Sequence, residues 1–357
     1  MIELSEAARR TAMAFPISPE SLTTEWLSDV LGTRVTAFDV SPLGEGVGIL
    51  GLVTRVTLEA DNFAAPTLIA KFPSPSADNR GIADIYDMYY REYVFYTQVA
   101  PNVPVKAPAC YHAEFNRDNN DFVLLLEDLT GYELGDQVAG CNAAQAKMMV
   151  EAMADLHSAT WQPGPELDVG RHNSDAQIAG MVAGFGGGWP VVAEMFPEIV
   201  TPDVFDAFKG MPDKIRTIVD AFCEEPVCLA HGDMRLDNIF FASDHIAVVD
   251  YQAICRSAPE HDLAYFVTQS LADDVRSATD WVALYHARLV ANGIDYDLDA
   301  CRERFRYCAL YLLCYAVVIC SALDLANERG RALGETLLGN SVRSMAEFNT
   351  ASLLESL

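Results

Sequence analysis

Two apolar runs of four residues, Ile239–Ala242 and Ile246–Val249, flank the tripeptide Ser243-Asp244-His245. β-Branched and aromatic residues on both sides of so short a polar break predict a β-hairpin centred on Asp244. Asn238 and Asp250 each lie six residues from that centre, so they are expected to face one another at its open end. Opposed side chains of an antiparallel pair are close enough to share a ligand. One amide oxygen and one carboxylate suit Mg2+, which takes oxygen donors and leaves most of its coordination to water and substrate phosphates. Asp233 lies five residues before Asn238, on the chain entering the hairpin, where it can reach a hydroxyl beside that ion. A base next to two metal ligands is what phosphoryl transfer requires.

The rest of the chain frames this segment. Its 357 residues exceed the usual range for a single core, so two lobes are expected. Strand-like runs at Val35–Val40, Gly51–Glu59, Thr67–Phe72 and Phe122–Leu126 fill the first part, interrupted by one helix over about 82–99. Residues 127–134 read as a connector. A helix is expected over Asn142–His157 with Asn142 as its N-cap. Residues 163–190, rich in Gly and Pro and ending in GFGGGWP, suggest a loop or insertion, which extends to about 225. Strands first and helices later predict an α+β chain. A β-rich first lobe spans 1–126, a hinge 127–134 and a mostly helical lobe 135–357, with the cleft at their junction.

Charge and composition remove several functions. The net charge of −27 repels phosphate backbones, so nucleic acid and anionic membrane surfaces are not expected partners. Nine Cys without a CxxC pair speak against metal clusters and disulfide frameworks, and fit reduced thiols in a cytoplasm. Glu3 and Glu6 precede Arg9-Arg10 and no apolar segment follows, so a secretory signal is not expected. The nearly uncharged stretch Tyr307–Leu323 is short for a membrane span and reads as a buried helix of the larger lobe.

HGDMRLDN (231–238) with VVDYQ (248–252) resembles the catalytic segment of the aminoglycoside phosphotransferase and choline-kinase-like enzymes, relatives of protein kinases in which HGD replaces HRD. The resemblance implies a bilobal protein-kinase-like fold, Asp233 as catalytic base, Asn238 and Asp250 as magnesium ligands, and His231 as a packing residue of the loop. GVGILGLV (46–53) contains GxGxxG, which dinucleotide-binding folds also use. Those folds open a helix there and place an acidic residue about 20 positions later. Here strand-like LVTRVTLEA follows and position 71 is Lys, so Gly46, Gly48 and Gly51 read as a hairpin covering ATP phosphates. Lys71 in TLIAKFP is similar to the VAIK strand of kinases. Glu92 falls on the face of the 82–99 helix shared by Ile85, Met88, Tyr89 and Tyr96, where an unpaired carboxylate is costly. A Lys71–Glu92 pair is therefore expected, with Lys71 on the α- and β-phosphates. FVLLLEDL (122–129) is similar to the family's hinge, with Glu127 and Leu129 offering backbone groups to adenine. MADLHSATW (153–161) resembles the family's helix with a structural His, here His157.

Only seven residues separate Asp250 from the APE at 258–260, too few for a peptide-docking segment, so protein kinase activity is not expected. SAPEHDLAYF (257–266) instead resembles the family's PxxDLA stretch, with Asp262 behind the catalytic loop. Arg235 and Asp237 give a likeness to kinases joined to acyl-CoA dehydrogenases, and DYQ to the ecdysteroid-kinase-like branch. The expected activity is ATP- and Mg2+-dependent phosphorylation of a small hydroxylated molecule, whether a hydroxyacyl, sterol-like, aminoglycoside or amino-alcohol acceptor. The alternative is a non-catalytic nucleotide-binding module.

Overall fold

Five strands form one antiparallel sheet in the computed structural model, which describes residues 15–43 and 50–357. They are β1 (Val35–Pro42), β2 (Gly51–Ala60), β3 (Thr67–Pro73), β4 (Cys110–Asn116) and β5 (Asp121–Glu127), in the order β1-β2-β3-β5-β4. Val56 and Leu58 of β2, Leu68, Ala70 and Phe72 of β3, and Val123 and Leu125 of β5 bury one face. Leu27 of α1 (Thr24–Leu31), a helix capped by the Thr23 hydroxyl, joins the same core. The strand period of two sends Lys71, between Ala70 and Phe72, to the opposite face. The edge strand β4 escaped the sequence reading because half-buried CYHAEFN carries no clean alternation.

The single helix expected over 82–99 is broken. α2 (Ala77–Ile85) stops, Asp87 adopts the left-handed conformation at φ 54°, and α3 (Met88–Val94) continues into a wide turn over Phe95–Val99. Ile85 therefore leaves the apolar face and is 64% exposed, while Tyr89 and Glu92 of α3 stay buried. Gly46 and Gly48 lie outside the described residues. Gly51 opens β2, so the run after the glycines is a strand, as expected.

These elements make one unit, residues up to Val99 with Pro108–Thr130; the second comprises Ala100–Ala107 and Gly131–Leu357. Residues 100–107, assigned from sequence to the first lobe, belong to the second because Lys106 bridges Ala247 and its carbonyl accepts the Val248 N–H at 2.9 Å. The second unit holds β6 (Glu133–Leu134), α4 (Ala143–Ala159), α5 (Asp175–Met195), α6 (Pro202–Phe208), α7 (Ile215–Phe222), β7 (Cys228–Ala230), β8 (Ile239–Phe241), β9 (Ile246–Val248) and β10 (Cys255–Ser257). It continues through α8 (Glu260–Tyr265), α9 (Asp273–Ser277), α10 (Trp281–Ala291), α11 (Leu298–Ser321), α12 (Glu328–Glu347) and α13 (Ala351–Ser356). Small sheets β6-β8-β9 and β10-β7 carry the functional loops. Asn142 caps α4 through Oδ1, and Gln145 reaches back to the Asn142 N–H, a reciprocal capping box.

Two expectations change here. The hairpin β8–β9 forms, but Ala242 N–H donates to His245 O, so its centre lies between Ser243 and Asp244. Asn238 is then opposite Val249, whose N–H it accepts at 3.0 Å, and Asp250 falls one residue beyond. The glycine-rich 175–190 segment is helix α5 and not a loop. A Cβ on Gly184 would lie 2.7 Å from Val318 Cγ2, and one on Gly188 3.0 Å from Val317 and Ser321 of α11. The missing side chains let two helix backbones approach closely, and that packing overrides the poor helix propensity of glycine.

α11 is the one helix among the described residues long and apolar enough to cross a membrane by length and composition. It packs against α5, α7, α8, α10 and α12, and residues Cys308–Cys314 are all buried. It is the core of its unit.

The α5–α11 contact yields a paired prediction. Gly187 is exposed with open space at its Cβ, so Gly187→Ala should stabilise by about 0.4–1 kcal/mol. Gly184→Ala should instead destabilise by about 1–3 kcal/mol through overpacking against Val318. Urea midpoints for the two variants shifting in the same direction would refute the close-approach explanation.

Candidate active site

The site is organised around a carboxylate that touches no solvent. Asp262, on α8, is fully buried and accepts the backbone N–H of His231 on Oδ2 at 2.5 Å and of Gly232 on Oδ1 at 2.9 Å. His157 Nε2 lies 3.1 Å from Oδ2 and His261 Nδ1 3.4 Å from Oδ1. Burial alone would raise this carboxyl, but hydrogen bonds from His157 and His261 outweigh it and hold Asp262 well below the usual carboxylate range. His157 Nδ1 faces the Tyr285 hydroxyl at 2.7 Å, and that hydroxyl donates to Pro259 O. His157 is thus a structural residue, tying α4, α8 and α10 to the loop.

The loop at 231–233 can take its path only with glycine at its centre. Gly232 has φ +84°, and a Cβ there would sit 2.5 Å from the Ala253 carbonyl oxygen. His231 accepts the Asp233 N–H on Nδ1 and donates from Nε2 to Val249 O, which fixes its neutral tautomer and spans the loop to the end of β9. Asp233 is thereby aimed from behind.

Asn238 completes the arrangement. Its Nδ2 donates to both the backbone oxygen and the Oδ2 of Asp233, each at 2.9 Å. The amide nitrogen is fully engaged, which leaves Oδ1 as the atom for a ligand. Asp250 sits in the left-handed conformation at φ 68°, ψ 59°, at the end of β9, and accepts from Gln252 Nε2 at 3.2 Å. The shifted register removes it from the place directly opposite Asn238. It still shares the neighbourhood: Asp233 first, then Tyr265, Asp237 and Asp250, act on the same Arg235 guanidinium and push its pKa up. Among the described residues no group of three His, Cys, Asp or Glu is arranged to hold a metal. The donors on offer, one amide oxygen and one carboxylate, fit an ion that keeps most of its ligands as water and phosphate.

Sequence reasoning missed the support on the other side of the loop. Gln137 is fully buried; its Oε1 accepts from Leu236 N and Ser270 Oγ at 3.0 Å, and its Nε2 donates to Gln269 O. Asp237 Oδ1 accepts the Gln137 N–H. A Cβ on Gly135 would lie 2.3 Å from Leu236 O, so the loop rests directly on that backbone. Arg329 of α12 grips Asp136 with 2.9 Å bonds to both oxygens, and Asp136 is held down to about 2. The only sequence signal was the glycine itself.

In the first unit, Lys71 Nζ donates to Glu92 Oε1 at 2.6 Å, the pair expected from sequence. Their side chains are 11% and 1% exposed, and removing one partner of such a buried pair costs about 3–5 kcal/mol. Glu127 engages its N–H with Ala109 O, and its Oε2 accepts the Ala109 N–H. Leu129 enters no backbone hydrogen bond among the described residues, so of the two connector positions it is the one with groups to offer.

The model of the ecdysteroid kinase-like family matches residues 45–163 and 191–295, segments that contain Lys71, Glu92, Asp233, Asn238, Asp250 and Asp262. No curated protein matches the chain. Among solved structures, a protein from Ralstonia eutropha classed with the aminoglycoside phosphotransferases superposes with TM-score 0.58 at 13% identity, over 92% of this chain and 97% of that one. Choline kinase from Cryptosporidium parvum gives TM-score 0.56 at 9% identity, over 89% and 91%. The GDP complex of wild-type aminoglycoside 2'-phosphotransferase-IIIa gives 0.53 at 16%, over 86% and 93%. The fold is the kinase-like fold of small-molecule phosphotransferases, α+β as expected.

Asp262 makes the assembly acid-sensitive in a defined window. A carboxyl depressed by folding stabilises fully above its unfolded value, about 3.9, and that contribution is lost as pH falls below it. Urea midpoints should therefore drop on acidification through about pH 4, and Asp262→Asn should lose that component of the slope. At neutral pH the same variant should be destabilised by about 3–5 kcal/mol. An unchanged neutral-pH midpoint would show that Asp262 does not hold the loop.

Proposed function

Because the chain belongs to the ecdysteroid kinase-like family, we propose that it transfers the γ-phosphoryl group of ATP to a hydroxyl of a small molecule, with Mg2+ as its metal. The observation that carries this reading is the double hydrogen bond from Asn238 Nδ2 to Asp233. It fixes the carboxylate through Oδ2 and leaves Oδ1 to accept a proton. Bound by Asn238 Oδ1 and Asp250, Mg2+ would neutralise charge on the triphosphate oxygens.

The chain's own residues divide the remaining work. Lys71, held by Glu92, offers positive charge to the α- and β-phosphates. Leu129 offers backbone groups to the base of the nucleotide. Asp233 orients the acceptor hydroxyl. The acceptor oxygen forms its bond to the γ-phosphorus while its proton passes to Asp233. The bond from that phosphorus to the β-phosphate oxygen breaks, and its electron pair leaves with ADP. Catalysis is then positioning and charge neutralisation.

The family's name favours a sterol-like molecule as the acceptor class. Nine Cys without a CxxC pair suit a reducing, cytoplasmic setting. The test is a phosphate-transfer screen of sterols, hydroxyacyl thioesters, aminoglycosides and amino alcohols, run with ATP and with GTP. Asp233→Asn should lower kcat by about 10²–10⁴-fold with nucleotide affinity almost unchanged. Asp250→Ala should weaken nucleotide binding only when Mg2+ is present. Full turnover by Asp233→Asn on the true acceptor would overturn the assignment of the base, and stabilisation by NAD(H) but not ATP would overturn the activity.

A further inference from the structure

The helix that brings Glu92 to Lys71 is short and interrupted on both sides. α3 has 7 residues, starts just after the left-handed Asp87 and runs into the wide turn at Phe95–Val99. Two turns of helix do not persist on propensity alone. The first turn therefore needs an anchor on the sheet, and Tyr89 supplies one. Its ring is 2% exposed and stacks on Phe122 of β5, with centroids 4.6 Å apart and planes inclined by 27°. Its hydroxyl reaches the ends of two other strands, where it accepts the Ser74 N–H at 3.0 Å and donates to Leu50 O.

Leu50 and Ser74 stand one step beyond the last β2–β3 pair, Gly51 opposite Pro73. A direct rung would close donor and acceptor to about 2.9 Å, whereas two bonds in series through a hydroxyl hold them further apart. A side chain of α3 thus completes the ladder, and the backbone of both strands becomes the anchor of the helix. Ser74 is 3% exposed, so its N–H needs an acceptor, and the hydroxyl is one. Glu92 lies three residues after Tyr89, on the same face of α3. One turn of helix therefore makes two polar contacts with the sheet: hydroxyl to strand backbone, and carboxylate to Lys71 Nζ at 2.6 Å. The first joins groups with no rotamer freedom on the strand side, whereas Lys71 reaches the second on a long flexible stem. The rigid contact sets where the flexible one forms.

We infer that Tyr89 is a positioning residue for nucleotide binding, its hydroxyl clamping the start of α3 to β2 and β3 so that Glu92 aims Lys71. This rests on the phosphotransferase reading and adds to it the element that orients the lysine. The hydroxyl alone makes the clamp; the ring packed on Phe122 belongs to the core.

Tyr89→Phe separates the two, because it keeps the ring and removes the hydroxyl. Hydrogen exchange on the full chain without nucleotide should show amides of 88–94 exchanging about tenfold faster in this variant, with β4 and β5 unchanged. Calorimetry with Mg2+ should show about tenfold weaker binding of an ATP analogue whose β–γ bridge cannot be cleaved. ADP should weaken equally, since Lys71 serves the α- and β-phosphates. Unchanged affinity in the folded variant, or a loss confined to the triphosphate, would overturn the inference and leave the phosphotransferase reading standing. Faster exchange spread over the whole first unit would mark a merely stabilising hydroxyl and overturn it too. Should Tyr89→Phe fail to fold, the wild type decides: the analogue should slow exchange at 88–94 and at 50–52 together, and a response of one segment alone would sink the clamp. Wild-type protein that binds neither nucleotide would overturn both readings.

Discussion

The buried carboxylate of Asp262 is the interaction from which the second unit's chemistry follows. A charge with no solvent contact persists only where donors surround it. Here two are backbone N–H groups of the loop that carries Asp233. The loop therefore cannot move without exposing an unsatisfied anion, and Asp233 at its end inherits that rigidity. His157 and His261 fix Asp262 in turn, so one electrostatic centre joins three helices to the loop at 231–233. From the other side, Gln137 and the bare backbone at Gly135 close the mould.

The first unit uses the same device on a smaller scale. Lys71 is fixed in direction by the pleat of β3, whose neighbouring residues are committed to the apolar core. Glu92 meets it from α3. Neither charge is tolerable there alone. The pair thus makes a polar site on the sheet's second face.

How much of this could be read beforehand depended on sequence separation. Asp233 and Asn238 are five residues apart, and their contact follows from a short loop entering a hairpin. The Lys71–Glu92 pair was legible because strand and helix periods both pointed a charge inward. The hairpin itself was legible, but its register was not. Counting symmetrically about Asp244 gives a three-residue turn, whereas the structure makes the two-residue turn whose twist suits paired strands. That half-residue difference moves Asp250 past Asn238, and the left-handed conformation at Asp250 is a local event that composition does not announce. Gln137 lies 99 residues from its Leu236 partner, and nothing in its neighbourhood distinguishes it from a surface amide. The glycines of α5 misled because their local preference is for loops, and only α11, more than a hundred residues later, makes them useful in a helix.

The excursion of residues 100–107 has a practical consequence. The chain passes into the second unit, where the Lys106 carbonyl accepts the Val248 N–H of β9, and returns to build β4 and β5 before leaving for good after Thr130. No single cut yields two whole pieces. Cleavage at 130/131 leaves residues 100–107 of the second unit on the amino-terminal fragment, and the carboxy-terminal fragment short of a backbone acceptor for Val248. The polypeptide is divisible in its packing but indivisible in its connectivity.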